Sequence, residues 1–510
     1  MFCYQCEQTN NNKYCRNIGV CGKVASTANL QDKIVSALVN LAVNAERNEK
    51  HTNMIINGLF MTVTNVNFDD DFLQVYLDII ENANYTSNPF NIESIWNEND
   101  DIRSLKSIIL FGIKGMAAFA YHARRFNYKS EVVDSFFYEA LQAISKELSL
   151  NELGALVLKT GEVNLKALEL LDKANTGTYG HPVPTRVSTD IEAGPFIVIS
   201  GHDLHDMGLL LEQTKGLGIN IYTHGEMLPC HAYPEFKKYS HLKGNFGTAW
   251  QNQQKEFENI PAPILFTTNC MMPVQDSYSD RTFTTSVVSF PKVVHIGSDK
   301  DFRPVIKKAI ELGGYKVKQH RTGLNGGSVL AVGYSHNTVI SLIDRIVELY
   351  NQGKIKHIFI VGGCDGAKIG RNYYTEFVKK IPEDSLILTY ACGKYRFNDI
   401  FTDKIEDIPR IMDMGQCNDT YSAIRIVREL AKKMNCSIAN LPVSFVISWY
   451  EQKSVSILLT LLYLGIQNIR LGPGMPAFVS PNIMRMLINK FKIKPISTPE
   501  EDLKDILANK

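Results

Sequence analysis

Between residues 27 and 173 the apolar positions recur at helical spacing. Ile34, Leu38, Leu41 and Ala42 fall on one face of one segment, and Ile108, Leu110, Ile113, Ala117 and Ala118 repeat the pattern in another. Polar, turn-rich stretches at 85–91 and 97–101 separate the segments. Antiparallel packing in a helical bundle buries such stripes. The periodicity fails over 175–194, where Gly177, Gly180, Pro182 and Pro184 predict a linker. Past it, short apolar runs alternate with helix-like segments. Strands are expected at 195–200, 219–224, 264–268, 293–296, 357–361, 386–390, 409–414, 445–449 and 468–471. That rhythm predicts parallel sheets covered on both faces.

A chain of 510 residues is too long for one hydrophobic core. The Gly-rich stretch 313–327 suggests a division between two α/β units. The expected organisation is therefore a helical-bundle domain over 1–181, then two Rossmann-like parallel-sheet α/β domains over 182–321 and 322–510. With 54 basic against 53 acidic side chains the net charge is +1, which offers no field for nucleic acid or an anionic membrane. No basic segment followed by an apolar one opens the chain, and the longest strongly apolar run, 457–466, is too short to span a bilayer and reads as buried core. A cytoplasmic location is expected, so the ten cysteines should be free, metal-bound or catalytic, and Asn84-Tyr85-Thr86 is read as a chance sequon.

Four of those cysteines, Cys3, Cys6, Cys15 and Cys21, follow the spacing C-x2-C-x8-C-x5-C. Four thiolates this close can enclose zinc or an iron–sulfur cluster. The rest of the chemistry lies at strand ends, where open α/β sheets place their functional groups. The run 195–200 leads to His202, 219–224 to Glu226, 264–268 to Cys270, and 357–361 to Cys364. Likewise 386–391 leads to Cys392, 409–414 to Cys417, and 445–450 to Glu451. All seven are potential metal ligands. One buried cysteine is ordinarily a small hydrophobe, but four at strand ends point to a shared site. Thiolates favour sulfide-bridged iron, while carboxylates and imidazole favour harder, oxygen-bound iron. A zinc site has no use for seven ligands, so one site using both kinds suggests a cluster of sulfide-bridged and oxygen-bridged iron. Cys230 and Cys436 fall outside the pattern and read as packing residues.

These motifs resemble the hybrid cluster protein family, also called prismane proteins or hydroxylamine reductases. The matching blocks are Gly201-His-Asp-Leu204, Thr223-His-Gly-Glu-Met-Leu-Pro229, Thr267-Thr-Asn-Cys270, Gly362-Gly-Cys-Asp-Gly366, Ala391-Cys-Gly-Lys-Tyr-Arg396, Gly415-Gln-Cys-Asn-Asp419 and Trp449-Tyr-Glu-Gln-Lys453. The resemblance implies a [4Fe-4S] cluster on Cys3, Cys6, Cys15 and Cys21. It further implies a hybrid [4Fe-2O-2S] cluster on His202, Glu226, Cys270, Cys364, Cys392, Cys417 and Glu451. By motif, Cys364 matches the family cysteine that can carry a persulfide sulfur. The helical region is shorter than in the family's longer members.

The implied activity is reduction of hydroxylamine to ammonia and water, with nitric oxide reduction as the related alternative. An external electron-donor protein would feed the N-terminal cluster. Glu226, Glu451 and Lys453 are the expected catalytic residues; Lys453 would share the face of Glu451 if the strand pattern persisted. Two rivals belong to other classes. A nickel enzyme of the carbon monoxide dehydrogenase kind would need a ligand set richer in Cys and His than one with two Glu. A redox carrier or nitrosative-stress sensor would not need so elaborate a site. A nucleotide-binding enzyme is disfavoured because no G-x-G-x-x-G follows the first strand of either α/β unit.

Overall fold

The computed structural model describes residues 1–83, 86–87, 89–400 and 403–508, so the Asn84-Tyr85 part of the sequon-like triplet lies outside the described residues. The helical stripes form the helices Ala25–Asn44, Glu49–Met61, Asp70–Ala83, Asp100–Arg124, Glu131–Ile144 and Leu150–Tyr179. The last begins on a capping box: the Ser149 hydroxyl accepts from the Glu152 N–H, and the Glu152 carboxylate accepts from the Ser149 N–H at 2.8 Å. It continues through 175–179, where the sequence predicts a linker. Ala174 and Asn175 are buried there, and that packing outweighs the poor helical propensity of Gly177. The helix stops at Gly180, whose φ of +82° suits glycine.

Among the described residues the expected α/β rhythm resolves into two large sheets, beside a two-stranded ribbon of Lys404–Ile405 and Ile408–Pro409. In the first, the spatial order is Val294–Ile296, Thr282–Thr285, Ile264–Phe266, Phe196–Ser200, Asn220–His224, Leu242–Asn245, Thr185–Ser188, Val329–Val332. All neighbours are parallel except the last pair. The edge strand Val329–Val332 lies beyond the Gly-rich stretch 313–327, so the chain leaves the first sheet only after residue 332, not at 321. The second sheet is wholly parallel, ordered Ile411–Asp413, Ser385–Thr389, His357–Gly363, Val443–Ser448, Arg470–Gly472, Lys494–Pro495.

Each sheet has a switch point from which successive strands wind off in opposite directions. In the first the reversal falls between Phe196–Ser200 and Ile264–Phe266; in the second, between His357–Gly363 and Val443–Ser448. Crevices past the carboxyl ends of strands open at such points. The four residues that follow these strands are His202, Cys270, Cys364 and Glu451.

The three layers interlock. The helix Gln452–Tyr463, which leaves the second sheet, packs against both Asp100–Arg124 and Leu150–Tyr179, which also pack against each other, and one apolar core runs from Tyr4 to Ile493. Asn164 in the bundle donates to the Ser456 carbonyl at 3.1 Å and to the Thr460 hydroxyl at 2.9 Å. Helix Asp100–Arg124 has the length and apolar composition of a membrane span, but 94% of its most apolar window is buried inside the protein.

The closest helix approach sits at Gly161, where an added Cβ would lie 2.1 Å from the Leu459 carbonyl oxygen. Gly161→Ala is expected to destabilise the protein by about 1–3 kcal/mol. Gly154→Ala, on the same helix with open space around it, should instead stabilise by about 0.5–1 kcal/mol. Denaturant unfolding of both variants checks the contrast, and equal effects would refute the close-packing account.

Candidate metal centre

Sharp turns at the strand ends aim the side chains inward. Gly201, between Ser200 and His202, has φ +120°, and a Cβ there would meet the Thr267 hydroxyl at 2.4 Å. Gly363 has φ +107°, and its Cβ would lie 2.0 Å from the Ser448 carbonyl oxygen. Glycine at both sites lets strands from opposite sides of each crevice approach closely.

His202, Glu226 and Cys417 bring their ligand atoms within 4.8 Å of one another, and all three are buried. The His202 Nδ1 lies 2.9 Å from the Asn269 carbonyl oxygen, a contact that places the proton on Nδ1 and leaves Nε2 as the ligand atom. Glu226 Oε2 sits 3.7 Å from that Nε2 and accepts from the Cys417 N–H at 2.8 Å. Glu451 is the N-cap of the helix Gln452–Tyr463, and its Oε2 accepts from the Lys453 N–H at 2.8 Å. In each carboxylate the other oxygen, Oε1, is buried with no hydrogen-bond partner. Two orphaned carboxylate oxygens facing free thiols are the donor set a bound metal would satisfy.

The remaining thiols lie near enough to interact electrostatically with this trio, Cys392 with Glu226, and Cys270 and Cys364 with Cys417. Cys364 Sγ is 2.9 Å from the Ser454 hydroxyl, Cys392 Sγ accepts from the Asp365 N–H at 3.0 Å, and Cys270 Sγ accepts from Asn269 Nδ2 at 3.3 Å. Lys453 does not continue a strand, as the sequence suggests, but sits in the first turn of a helix. Its ammonium still turns inward, 3.0 Å from His202 Nε2, 3.1 Å from Asn269 Oδ1 and 3.7 Å from Glu451 Oε1.

Burial governs the electrostatics. It pushes Glu226 up to about 7 despite Lys394 and Lys453, raises Glu451, and drives His202 well below the usual imidazole range. It lifts Cys364 to about 12 and raises Cys270, Cys392 and Cys417 as well. Burial alone would lower Lys453, but Cys417 once deprotonated, the Glu451 carboxylate, and the thiolates of Cys270 and Cys364 hold it above the ordinary lysine range. Without a metal the thiols stay protonated; a cation entering the centre displaces those protons.

The N-terminal cysteines form a second group. Cys3 and Cys15 face each other across a two-residue antiparallel bridge, with N–H···O distances of 3.2 and 2.7 Å. After burial, the charges of Cys21, Cys3 and Cys15 are what raise the Cys6 thiol. Three hydrogen bonds tie this loop to the residues around Glu451. Glu7 N–H donates to the Tyr450 carbonyl at 2.8 Å, Gln452 Nε2 donates to the Gln5 carbonyl at 2.9 Å, and Arg371 Nη2 donates to Glu7 Oε2 at 2.8 Å. The Tyr450 ring stacks on Trp250 at 4.4 Å, in an apolar cluster that also contains Cys6, Cys364 and Cys392.

Cys230 packs in the core of the first sheet, and Cys436 against the main core, both away from the centre. Several further residues shape the site without a local signal in the sequence. His122, from the helical bundle, lies 6.5 Å from the His202 ring, and burial drives it down to about 3. Lys394 and Asp413 form a buried ion pair at 2.7 Å behind Glu226. Only the Lys394 motif hinted at such a role, since neither His122 nor Asp413 adjoins a ligand in sequence.

A family model described as the Prismane/CO dehydrogenase family matches residues 1–504. The hydroxylamine reductase of Thermodesulfovibrio yellowstonii is 50% identical, covering 99% of this chain and 100% of its own length. That of Syntrophobacter fumaroxidans is 48% identical, with 100% of each chain covered. Among solved structures, carbon monoxide dehydrogenase IV from Carboxydothermus hydrogenoformans is similar with a TM-score of 0.60 at 15% identity, covering 99% of this chain and 92% of its own, a likeness of fold alone.

Removing the ammonium behind Glu226 should be costly. Lys394→Met strands Asp413 as a buried, unpaired charge, and a loss of about 3–5 kcal/mol is expected in denaturant unfolding. The double variant Lys394→Met/Asp413→Leu should recover much of it. A double variant as unstable as the single one would show that the ion pair is not the cause.

Proposed function

The chain belongs to the Prismane/CO dehydrogenase family, whose members imply iron–sulfur clusters, and on that premise we propose that it reduces hydroxylamine to ammonia and water. Two electrons and two protons are consumed as the N–O bond breaks; nitrogen leaves as ammonia and oxygen as water. The observation that carries this reading is the buried face of His202, Glu226 and Cys417 with Lys453 against it, in a chain half identical to a hydroxylamine reductase along its length. The electron source is an external donor protein. It would approach the N-terminal loop, where Ile18 and Val20 stand exposed close to Cys21.

The residues fit two clusters. Cys3, Cys6, Cys15 and Cys21 would hold a [4Fe-4S] cluster. His202, Glu226, Cys270, Cys364, Cys392, Cys417 and Glu451 would hold the hybrid [4Fe-2O-2S] cluster. Bound there, the hybrid cluster supplies electrons and a Lewis acid for the departing oxygen. The chain does the rest. Glu226 and Glu451 each anchor one oxygen to a backbone N–H while the other makes no hydrogen bond, in Glu451 lying 3.7 Å from the Lys453 ammonium, so either carboxylate can shift without losing its hold. Lys453 holds its proton firmly and points it into the same space, where it can orient the substrate oxygen and donate to it. His202 stays neutral because burial, the Lys453 ammonium and the His122 ring all disfavour its charged form, outweighing the Asn269 carbonyl. Ten cysteines with no disulfide among the described residues suit a reducing cytoplasm.

Glu451→Gln, purified without oxygen, is expected to keep the N-terminal cluster and to lose hydroxylamine turnover by about 100-fold or more. Full turnover in a variant with full iron content would remove Glu451 from the mechanism. Cys6→Ser should slow turnover with a protein donor far more than with a small, strong reductant, and equal losses with both would argue against the relay.

A further inference from the structure

The bundle helix Asp100–Arg124 carries a buried lysine that the reaction described above does not use. Lys114 is only 3% exposed, and its side chain reaches the N-terminal cysteine loop. Its Nζ donates to Gln5 Oε1 at 3.2 Å, and Gln5 Nε2 donates in turn to Cys3 Sγ at 3.6 Å. One amide therefore joins an ammonium to a cysteine sulfur. Gln5 lies between Cys3 and Cys6, and its carbonyl is fixed by Gln452 Nε2 at 2.9 Å. Lys114, Gln5, Asp32 and Cys3 border one small cavity of about 20 Å³.

The ammonium decides which way the amide points. Lysine only donates, so it must meet the Gln5 oxygen, and that leaves the Gln5 nitrogen to face the sulfur. Burial lowers Lys114 to about 8 against the pull of Asp32, so it still carries its charge at neutral pH. The surrounding charge has the same sign. Residues 8–31 hold Lys13, Arg16 and Lys23 and no acidic side chain. Lys23 is buried beside Gln31, and with Lys114 it outweighs Asp32, the acid that acts on both Cys3 and Lys114. A cluster gains one negative charge when it accepts an electron. An N–H aimed at its sulfur, and positive charge behind that N–H, stabilise the reduced form.

We propose that Lys114 is a positioning residue for electron entry: acting through Gln5, it aims an N–H at Cys3 and raises the reduction potential of the N-terminal cluster. The inference rests on the preceding reading in taking Cys3, Cys6, Cys15 and Cys21 to hold that cluster. One electron passes from the donor protein to the cluster, and the bundle, which supplies none of its ligands, sets how readily it is accepted.

Redox titration of the iron-loaded protein without oxygen, followed by EPR, reads this potential directly. In Lys114→Met the reduced-to-oxidised ratio of the N-terminal cluster at a fixed potential should fall about tenfold, a shift of about 59 mV for one electron. Lys114→Gln, neutral but polar, takes its place if Lys114→Met does not load iron. Gln5→Leu should shift the midpoint in the same direction, and adding Lys114→Met to it should shift it little further. The midpoint of the hybrid centre should stay where it is in every variant. An unmoved N-terminal midpoint in a lysine variant with full iron content, shifts that simply add in the double variant, or equal shifts of both centres would overturn the inference. A parent protein with no N-terminal cluster signal would refute the cluster reading and this inference with it, whereas a signal that is present but unmoved refutes this inference alone.

Discussion

Two carboxylates, four thiols and an imidazole drawn into a dry interior form an arrangement that fails unless positive charge is built in with them. The chain supplies that charge through Lys453, whose ammonium lies within 4 Å of His202 and Glu451. Lys394 supports the same region from behind through Asp413. The rest of the architecture serves this constraint. Two parallel sheets present their switch points to each other, the bundle closes the third side with His122, and the helix that carries Lys453 is locked into the bundle by Gly115 and Gly161.

That locking explains why the helical, first-sheet and second-sheet regions share one core. Helix Gln452–Tyr463 begins at a proposed ligand and runs directly into the bundle, so its position is fixed at both ends. A ligand placed at a strand end is held by the sheet alone. Glu451 is held by the sheet, by its own helix N-terminus and, through Tyr450 and Gln452, by the cysteine loop.

Much of this was legible in the chain because the signals are local. Phe196–Ser200 and Val443–Ser448 read as buried strands from their apolar runs, and the ligand-type residues that follow them read as a site from position alone. The strands Thr185–Ser188, Leu242–Asn245 and Thr282–Thr285 were not legible, because TRVS, LKGN and TFTT are short and polar. Their stability comes from neighbouring strands, which no local window contains. The same holds within the site. His122 lies 80 positions before His202, and Asp413 lies 19 after its partner Lys394, so only the fold reveals these pairings. The helical setting of Lys453 was missed for a related reason: its backbone obeys the N-cap at Glu451, while the preceding residues still look like strand.

The bonds from Glu7 to Tyr450 and from Gln5 to Gln452 join the first residues of the chain to nearly the last sheet strand. During synthesis the four N-terminal thiols therefore emerge long before the surface that receives them exists. At about 5–20 residues per second, the wait is on the order of tens of seconds. For that interval the loop is a reduced, unprotected thiol cluster. The cell must keep oxygen and stray metals from it, or hold it with a carrier, until the last third of the polypeptide arrives to bury it.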